Sequence, residues 1–206
     1  MQLYRHLRRL IKNMIIDFSF GGKFLGGVIQ SRYAHLGANR VENSEYDDIE
    51  DIFREQIQPD DVLVDVGCGV GRVINGWLYQ GHTGRIVGLE LDPVIGERTK
   101  RRLAKYHNVT IIVGDAIENL PCDGTVFFMF NPFNEAIIER FKQRFSVIVA
   151  PQRNPRIFYY NPKHVTCFTE NTGWQVEWMT LRSTARFQAV KITHQWDSIP
   201  HSTGHP

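Results

Sequence analysis

The first apolar pattern in the chain is helical. Leu3, Tyr4, Leu7, Leu10, Ile11, Met14 and Ile15 recur at three- and four-residue spacing, while Arg5, Arg8, Arg9 and Lys12 fall on another face. This predicts an amphipathic helix from Leu3 to Ile16. The run Gly21-Gly22-Lys23-Phe24-Leu25-Gly26-Gly27 ends it and reads as a flexible connection. A second helix is expected after Ser44, which can cap it with Asp47 as capping-box partner. Tyr46, Ile49, Ile52, Phe53 and Ile57 supply its apolar side.

From Asp60 onward short β-branched runs alternate with helical stretches. Strands are predicted at Val62–Val66, Arg85–Leu89, Thr110–Val113 and Thr125–Phe130, with helices at Arg72–Tyr79 and Pro93–Tyr106. Pro93 suits a first helical turn, where its missing N–H has no partner to lose. Ser146 to Val149 has strand propensity. Ile137, Ile138, Phe141, Phe145, Ile148 and Val149 nevertheless continue one helical face, which favours a helix to about Ala150. A loop at 151–155, a strand at Arg156–Tyr160, a short helix within Lys163–Asn171 and an antiparallel pair, Trp174–Met179 with Phe187–His194, complete the pattern. The fold class is α/β: a mostly parallel sheet with an antiparallel closing strand and helices on both faces. The expected division is a helical extension or lid at 1–43, the α/β domain at 44–196 and a disordered polar tail at 197–206.

Composition changes this picture little. The 206 residues, 42% hydrophobic and 22% charged, suit one domain with a short extension. A net charge of +2 gives no reason to expect a nucleic-acid partner. Cys68, Cys122 and Cys167 lie too far apart for a zinc or redox motif, so free thiols in a reducing compartment are expected and no metal site. No apolar run approaches the roughly 20 residues of a membrane span, and no secretory leader is legible at the N-terminus. A cytoplasmic protein is expected. The cationic face of the first helix also permits peripheral contact with an anionic membrane surface, as the alternative to a lid. The oligomeric state is not legible.

The candidate chemistry begins where the first buried strand enters Asp65-Val66-Gly67-Cys68-Gly69-Val70-Gly71 at a helix start. Such a turn lets a ligand approach backbone closely, but it serves more than one nucleotide-type cofactor. A dinucleotide fingerprint wants a third glycine where Arg72 stands. Acids then close the next two strands, Glu90 before Leu91 and Asp115 before Ala116. Glu90 can accept hydrogen bonds from both hydroxyls of a ribose. The fourth strand ends in Asn131-Pro132-Phe133, at the sheet edge where open α/β folds bind ligands.

These motifs resemble class I S-adenosylmethionine (SAM)-dependent methyltransferases, over roughly Glu42 to Trp178. Phe128 to Phe133, with the later Tyr159 to His164, resembles a group of small bacterial members of largely unassigned substrate. The resemblance implies a Rossmann-like sheet, SAM as cofactor and S-adenosylhomocysteine as product. It implies that Gly67, Gly69, Gly71 and Cys68 form the cofactor turn, with Asp65 ordering the loop and the amino end. Glu90 and Leu91 would meet the ribose, and Asp115 and Ala116 the adenine. Asn131-Pro132-Phe133 is similar to the Asn-Pro-Pro-aromatic motif of nitrogen methyltransferases, where the Asn oxygen and a proline carbonyl aim the acceptor at the methyl group. One proline is missing here, so the acceptor is expected to be a nitrogen or an oxygen nucleophile. Tyr160, Asn161 and His164 are expected at the pocket rim, with His164 a candidate general base. Two other readings compete: a non-catalytic SAM-binding module, and a nicotinamide-dependent oxidoreductase disfavoured by Arg72.

Overall fold

The structure is a computed structural model that describes residues 2–29, 33, 41–149, 154–170, 173–182 and 185–196. The expected loop at 151–155 is described only in part, and the expected disordered tail at 197–206 lies outside the described residues. In chain order the elements are α1 (Gln2–Gly21), β1 (Val28–Ile29), β2 (Val41–Glu42), α2 (Tyr46–Phe53), β3 (Leu63–Val66), α3 (Arg72–Tyr79), β4 (Ile86–Glu90) and α4 (Pro93–Leu103). They continue with β5 (Val109–Val113), β6 (Val126–Phe130), α5 (Glu135–Ile148), β7 (Arg156–Tyr160), α6 (Thr166–Thr169), β8 (Trp174–Trp178) and β9 (Ala189–His194).

Seven strands form one sheet in the order β5-β4-β3-β6-β7-β9-β8. The first five are mutually parallel, and β9 runs antiparallel between β7 and β8. The chain leaves β3 toward β4 on one side and later returns to β6 on the other, so the sheet switches direction at β3. Ligands of open α/β sheets bind beyond the strand ends at such a switch point. Asp65 faces Gly88 and Phe128 across the two ladders, which brings the ends of β3, β4 and β6 side by side.

Each face of the sheet carries its own core. On one, Phe53 meets the rings of Trp77 and Phe158 edge-on, both at 5.3 Å. On the other, Phe145 of α5 packs on Phe127 at 5.0 Å and on Trp174 at 5.7 Å. The double-sided burial explains why β3, β4 and β6 read as continuous apolar runs rather than alternating ones. Residues 146–148 are helical because Ile138, Phe141 and Phe145 already lie on one buried stripe, while Val147 is 80% exposed. Asn134 caps α5 by accepting from the Ile137 amide, and Asp92 caps α4 through Val94 and Ile95.

Three features depart from the sequence pattern. The cap of α2 is Glu45, without a side-chain cap bond, and the Ser44 hydroxyl is buried without a partner. Asn13 of α1 has captured the Glu45 carboxylate, and Arg72 donates to the Ser44 carbonyl, so tertiary contacts displace the local capping box. The glycine segment after α1 is pinned rather than free. Leu25 is buried, its amide donates to Asp17, and Asn43 donates to its carbonyl. A two-stranded ladder, Val28 opposite Glu42 and Ile29 opposite Val41, went unread because two-residue strands carry no periodicity.

Helix α1 is also turned the other way from a simple amphipathic cover. Its ionic side faces the protein: Arg9 pairs with Asp48, and Lys12 with Asp47 and Glu50 of α2. Below them Asn13, Ile16 and Asp17 are buried against α2 and α3. The acidic first turn of α2 dictates this orientation, since it offers partners only to the helix face that holds the cations.

Candidate active site

The turn after β3 is built by φ angles of +79° at Gly67, +52° at Gly69 and +71° at Gly71, in the left-handed region that glycine adopts without strain. Space there is also tight, because a Cβ at Gly67 would sit 3.0 Å from the Pro132 Cβ. The glycine turn and the Asn-Pro corner therefore lie close together. The amides of Gly67 and Cys68 both donate to the Leu89 carbonyl, at 2.9 and 2.8 Å, and that of Gly71 to the Cys68 carbonyl at 2.7 Å. Thr99 of α4 donates to the Gly69 carbonyl at 2.8 Å, and Arg102 to that of Val70. With the amides of Gly67, Cys68, Gly69 and Gly71 bonded within the protein, the turn offers shape and the Gly67 carbonyl, which accepts no hydrogen bond from the described residues. The Cys68 thiol is buried in the core under Gly88, and burial pushes its pKa well up, with Asp65 adding to the effect.

Two carboxylates crowd this turn. Asp65 is 3% exposed, and its Oδ2 has no hydrogen-bond partner. Burial holds its carboxyl well above the usual range, and the charge of Glu90 pushes the same way. Glu90 accepts from the Gly69 amide through Oε2 at 2.7 Å and from the Asp92 amide through Oε1 at 2.8 Å. Burial raises its pKa too, opposed chiefly by these two amides. A carboxylate has about four acceptor sites, so each Glu90 oxygen can still take one hydroxyl. At the end of β5, Asp115 accepts from the Ile117 amide through Oδ1 at 2.8 Å and so caps a turn rather than a helix. Ala116 beside it is buried.

Asn131 follows β6 with a φ of +41° and is 9% exposed. Its Oδ1 accepts from the Tyr159 hydroxyl at 3.0 Å, and the Tyr159 phenol is in turn hydrogen-bonded by the backbone of His164. Tyr159 is fully buried, and burial raises its pKa, so it stays a neutral donor. The structure thus brings Tyr159 to Asn131 and involves the His164 backbone. Tyr160 is not at the rim: strand alternation turns it to the opposite face, where its hydroxyl donates to buried Asp48 at 2.5 Å. Phe133 is half-buried and tilts against Phe141 at 6.2 Å, whereas Phe130 packs on Tyr160 and Phe187.

Thr99, Arg102 and Tyr159 escape sequence reasoning, because a helix-surface Thr or Arg and a strand Tyr have bland explanations everywhere. Arg72 has a clear role. It opens α3 and holds Asp17 of α1 in a two-pronged pair, Nε to Oδ1 at 3.2 Å and Nη2 to Oδ2 at 2.7 Å.

The orphaned, proton-hungry Asp65 wants a cation, the Glu90 oxygens can take a diol, and the glycine cradle admits close approach. These donors and acceptors fit SAM, whose amino end and sulfonium are cationic and whose ribose is a diol. Comparison with known proteins agrees. Residues 63–151 match the family of methyltransferase domains. No curated protein matches the chain in sequence. The fold is similar to a methyltransferase from Pyrococcus furiosus, with TM-score 0.61 and 13% identity over 93% of this chain and 98% of that one. An RNA methyltransferase from Salinibacter ruber solved with S-adenosyl-L-homocysteine gives 0.55 and 18%, over 76% and 95%. The pyocyanin biosynthetic protein PhzM gives 0.57 and 17%, over 72% of this chain and 54% of that one, so the chain spans about half its length.

Residues 63–151 thus carry a methyltransferase domain, within a Rossmann-like sheet. Its cofactor is SAM, and its activity is SAM-dependent methylation.

Proposed function

We propose that the methyl group goes to a nitrogen or oxygen nucleophile bearing an N–H or O–H, on a small molecule or a protein side chain, and that Asn131 aims it. The observation that carries this reading is the contact of the Asn131-Pro132 corner with Gly67, which sets the orienting amide against the cofactor turn. SAM, when bound, supplies an electrophilic methyl group and leaves as S-adenosylhomocysteine.

The chain's own residues hold and orient. Asp65 and the Gly67 carbonyl receive the cationic amino end, Glu90 with Leu91 the ribose, and Asp115 with Ala116 the adenine. Tyr159 fixes the Asn131 amide oxygen, and an amide oxygen can accept two hydrogen bonds, so the second comes from the acceptor. The Pro132 carbonyl is a further acceptor for the same group, and Phe133 walls the pocket. This is rate enhancement by orientation, with the proton of the methylated N–H or O–H passing to solvent.

The test is transfer of label from methyl-tritiated SAM to a panel of amines, amides, phenols and protein extracts. Asn131→Ala is expected to lose about a hundredfold in rate while still binding S-adenosylhomocysteine. Unchanged transfer in that variant removes Asn131 from the mechanism. Binding without transfer to any acceptor favours a non-catalytic module.

A further inference from the structure

Helix α1 turns its apolar stripe to solvent. Leu7, Leu10, Ile11, Met14, Ile15 and Phe18 are between 41% and 59% exposed, on the side opposite the ionic face that docks on α2 and α3. A continuous stripe of this size marks a contact surface rather than scattered surface apolarity. The helix is 20 residues long, or about 30 Å, and no helix among the described residues is long and apolar enough to cross a membrane.

We infer that α1 lays this stripe flat on an anionic lipid bilayer. Charge selects that occupant. Residues 1–41 hold seven Lys or Arg and one acid, Asp17; Arg9 and Lys12 pair with acids of α2, which leaves five Lys or Arg in this segment. Asp17 is wholly buried against Arg72, so the outward surface of α1 carries no carboxylate. Arg8, His6 and, just past the helix, Lys23 are exposed near the stripe. Cations flanking an apolar face are what an interfacial helix on acidic lipid requires. A second copy fits less well, since pairing two stripes sets cationic flank against cationic flank.

The anchor is also stiffly joined to the cofactor turn. Asp17 is clamped by Arg72, the residue after Gly71, and Arg102 donates both to the Gly21 carbonyl that ends α1 and to the Val70 carbonyl in the turn. A bilayer under α1 would hold the catalytic domain at a fixed orientation, whatever its acceptor.

The test is co-sedimentation of the full chain with vesicles of phosphatidylcholine alone and with about a quarter phosphatidylglycerol, alongside sedimentation velocity without lipid. Binding to the acidic vesicles only, weakened by salt, is expected. Arg8→Ala should lower the partition constant about fivefold, and Ile11→Asp with Ile15→Asp about a hundredfold or more, with unchanged melting because these side chains are exposed. Absence of binding to acidic vesicles overturns the inference, as does binding that the double variant leaves intact. A lipid-free dimer split by the double variant, with no vesicle binding, assigns the stripe to a second copy instead.

Discussion

Arg72 and Asp17 meet in a buried two-pronged ion pair, with the guanidinium 5% exposed and the carboxylate wholly buried. The residue that breaks the dinucleotide glycine pattern is thus the one that fastens α1 to the start of α3. Removing one partner of a buried pair strands the other charge. Arg72→Ala is expected to destabilise the fold by about 3 kcal/mol or more. Asp17→Asn combined with Arg72→Met should cost clearly less than either change alone, measured by urea unfolding. Additive losses would show that the pair is not coupled.

The Asp65 carboxyl gives the fold an unusual pH response. Its folded pKa is raised above the ordinary 3.8, so between those values the folded chain keeps a proton that the unfolded chain has released. Stability therefore falls as pH rises through that window and stays lower above it. The melting temperature of the ligand-free protein should drop on this account between about pH 4 and neutrality. Asp65→Asn should flatten the drop and raise the neutral melting temperature, while weakening SAM binding. A lower melting temperature in the variant would contradict this.

Gly67 combines a positive φ with the close approach to Pro132. Gly67→Ala should cost about 1–2 kcal/mol in strain and also push the Asn-Pro corner away from the cofactor turn. Both the melting temperature and the methylation rate are expected to fall. A variant that loses stability but keeps full rate would separate the turn from the acceptor site.

On the proposed mechanism Tyr159 acts through Asn131, whose Oδ1 its hydroxyl meets, as a positioning residue. Tyr159→Phe removes the hydrogen bond to Asn131 together with the one from the His164 backbone, and should lower kcat about tenfold, with S-adenosylhomocysteine affinity unchanged. Asn131→Ala with Tyr159→Phe should be no slower than Asn131→Ala alone. A Tyr159 effect that persists without Asn131 would give the phenol a separate role.

Much of this was legible in the sequence. β7 and α3 fall where the periodicity places them, and Asp65, Glu90, Asp115 and Asn131 line one edge of the sheet because the parallel strands β5, β4, β3 and β6 end there. What was hidden depended on long-range partners. Ser44 lost its capping role to Asn13 and Arg72, residues 31 and 28 positions away, and the orientation of α1 depends on acids in α2. Tyr159 and Tyr160 differ only in strand parity, which a continuous apolar run conceals.

The central claim is that the pocket formed by Gly67, Asp65 and Glu90 holds SAM. Isothermal titration with S-adenosylhomocysteine and, separately, with NAD tests it most directly. One molecule of S-adenosylhomocysteine per chain is expected to bind, with affinity reduced about a hundredfold in Glu90→Ala, where two charge-assisted hydroxyl contacts are lost. NAD should give no heat of binding. Binding of NAD alone, or S-adenosylhomocysteine affinity untouched by Glu90→Ala, would contradict the account.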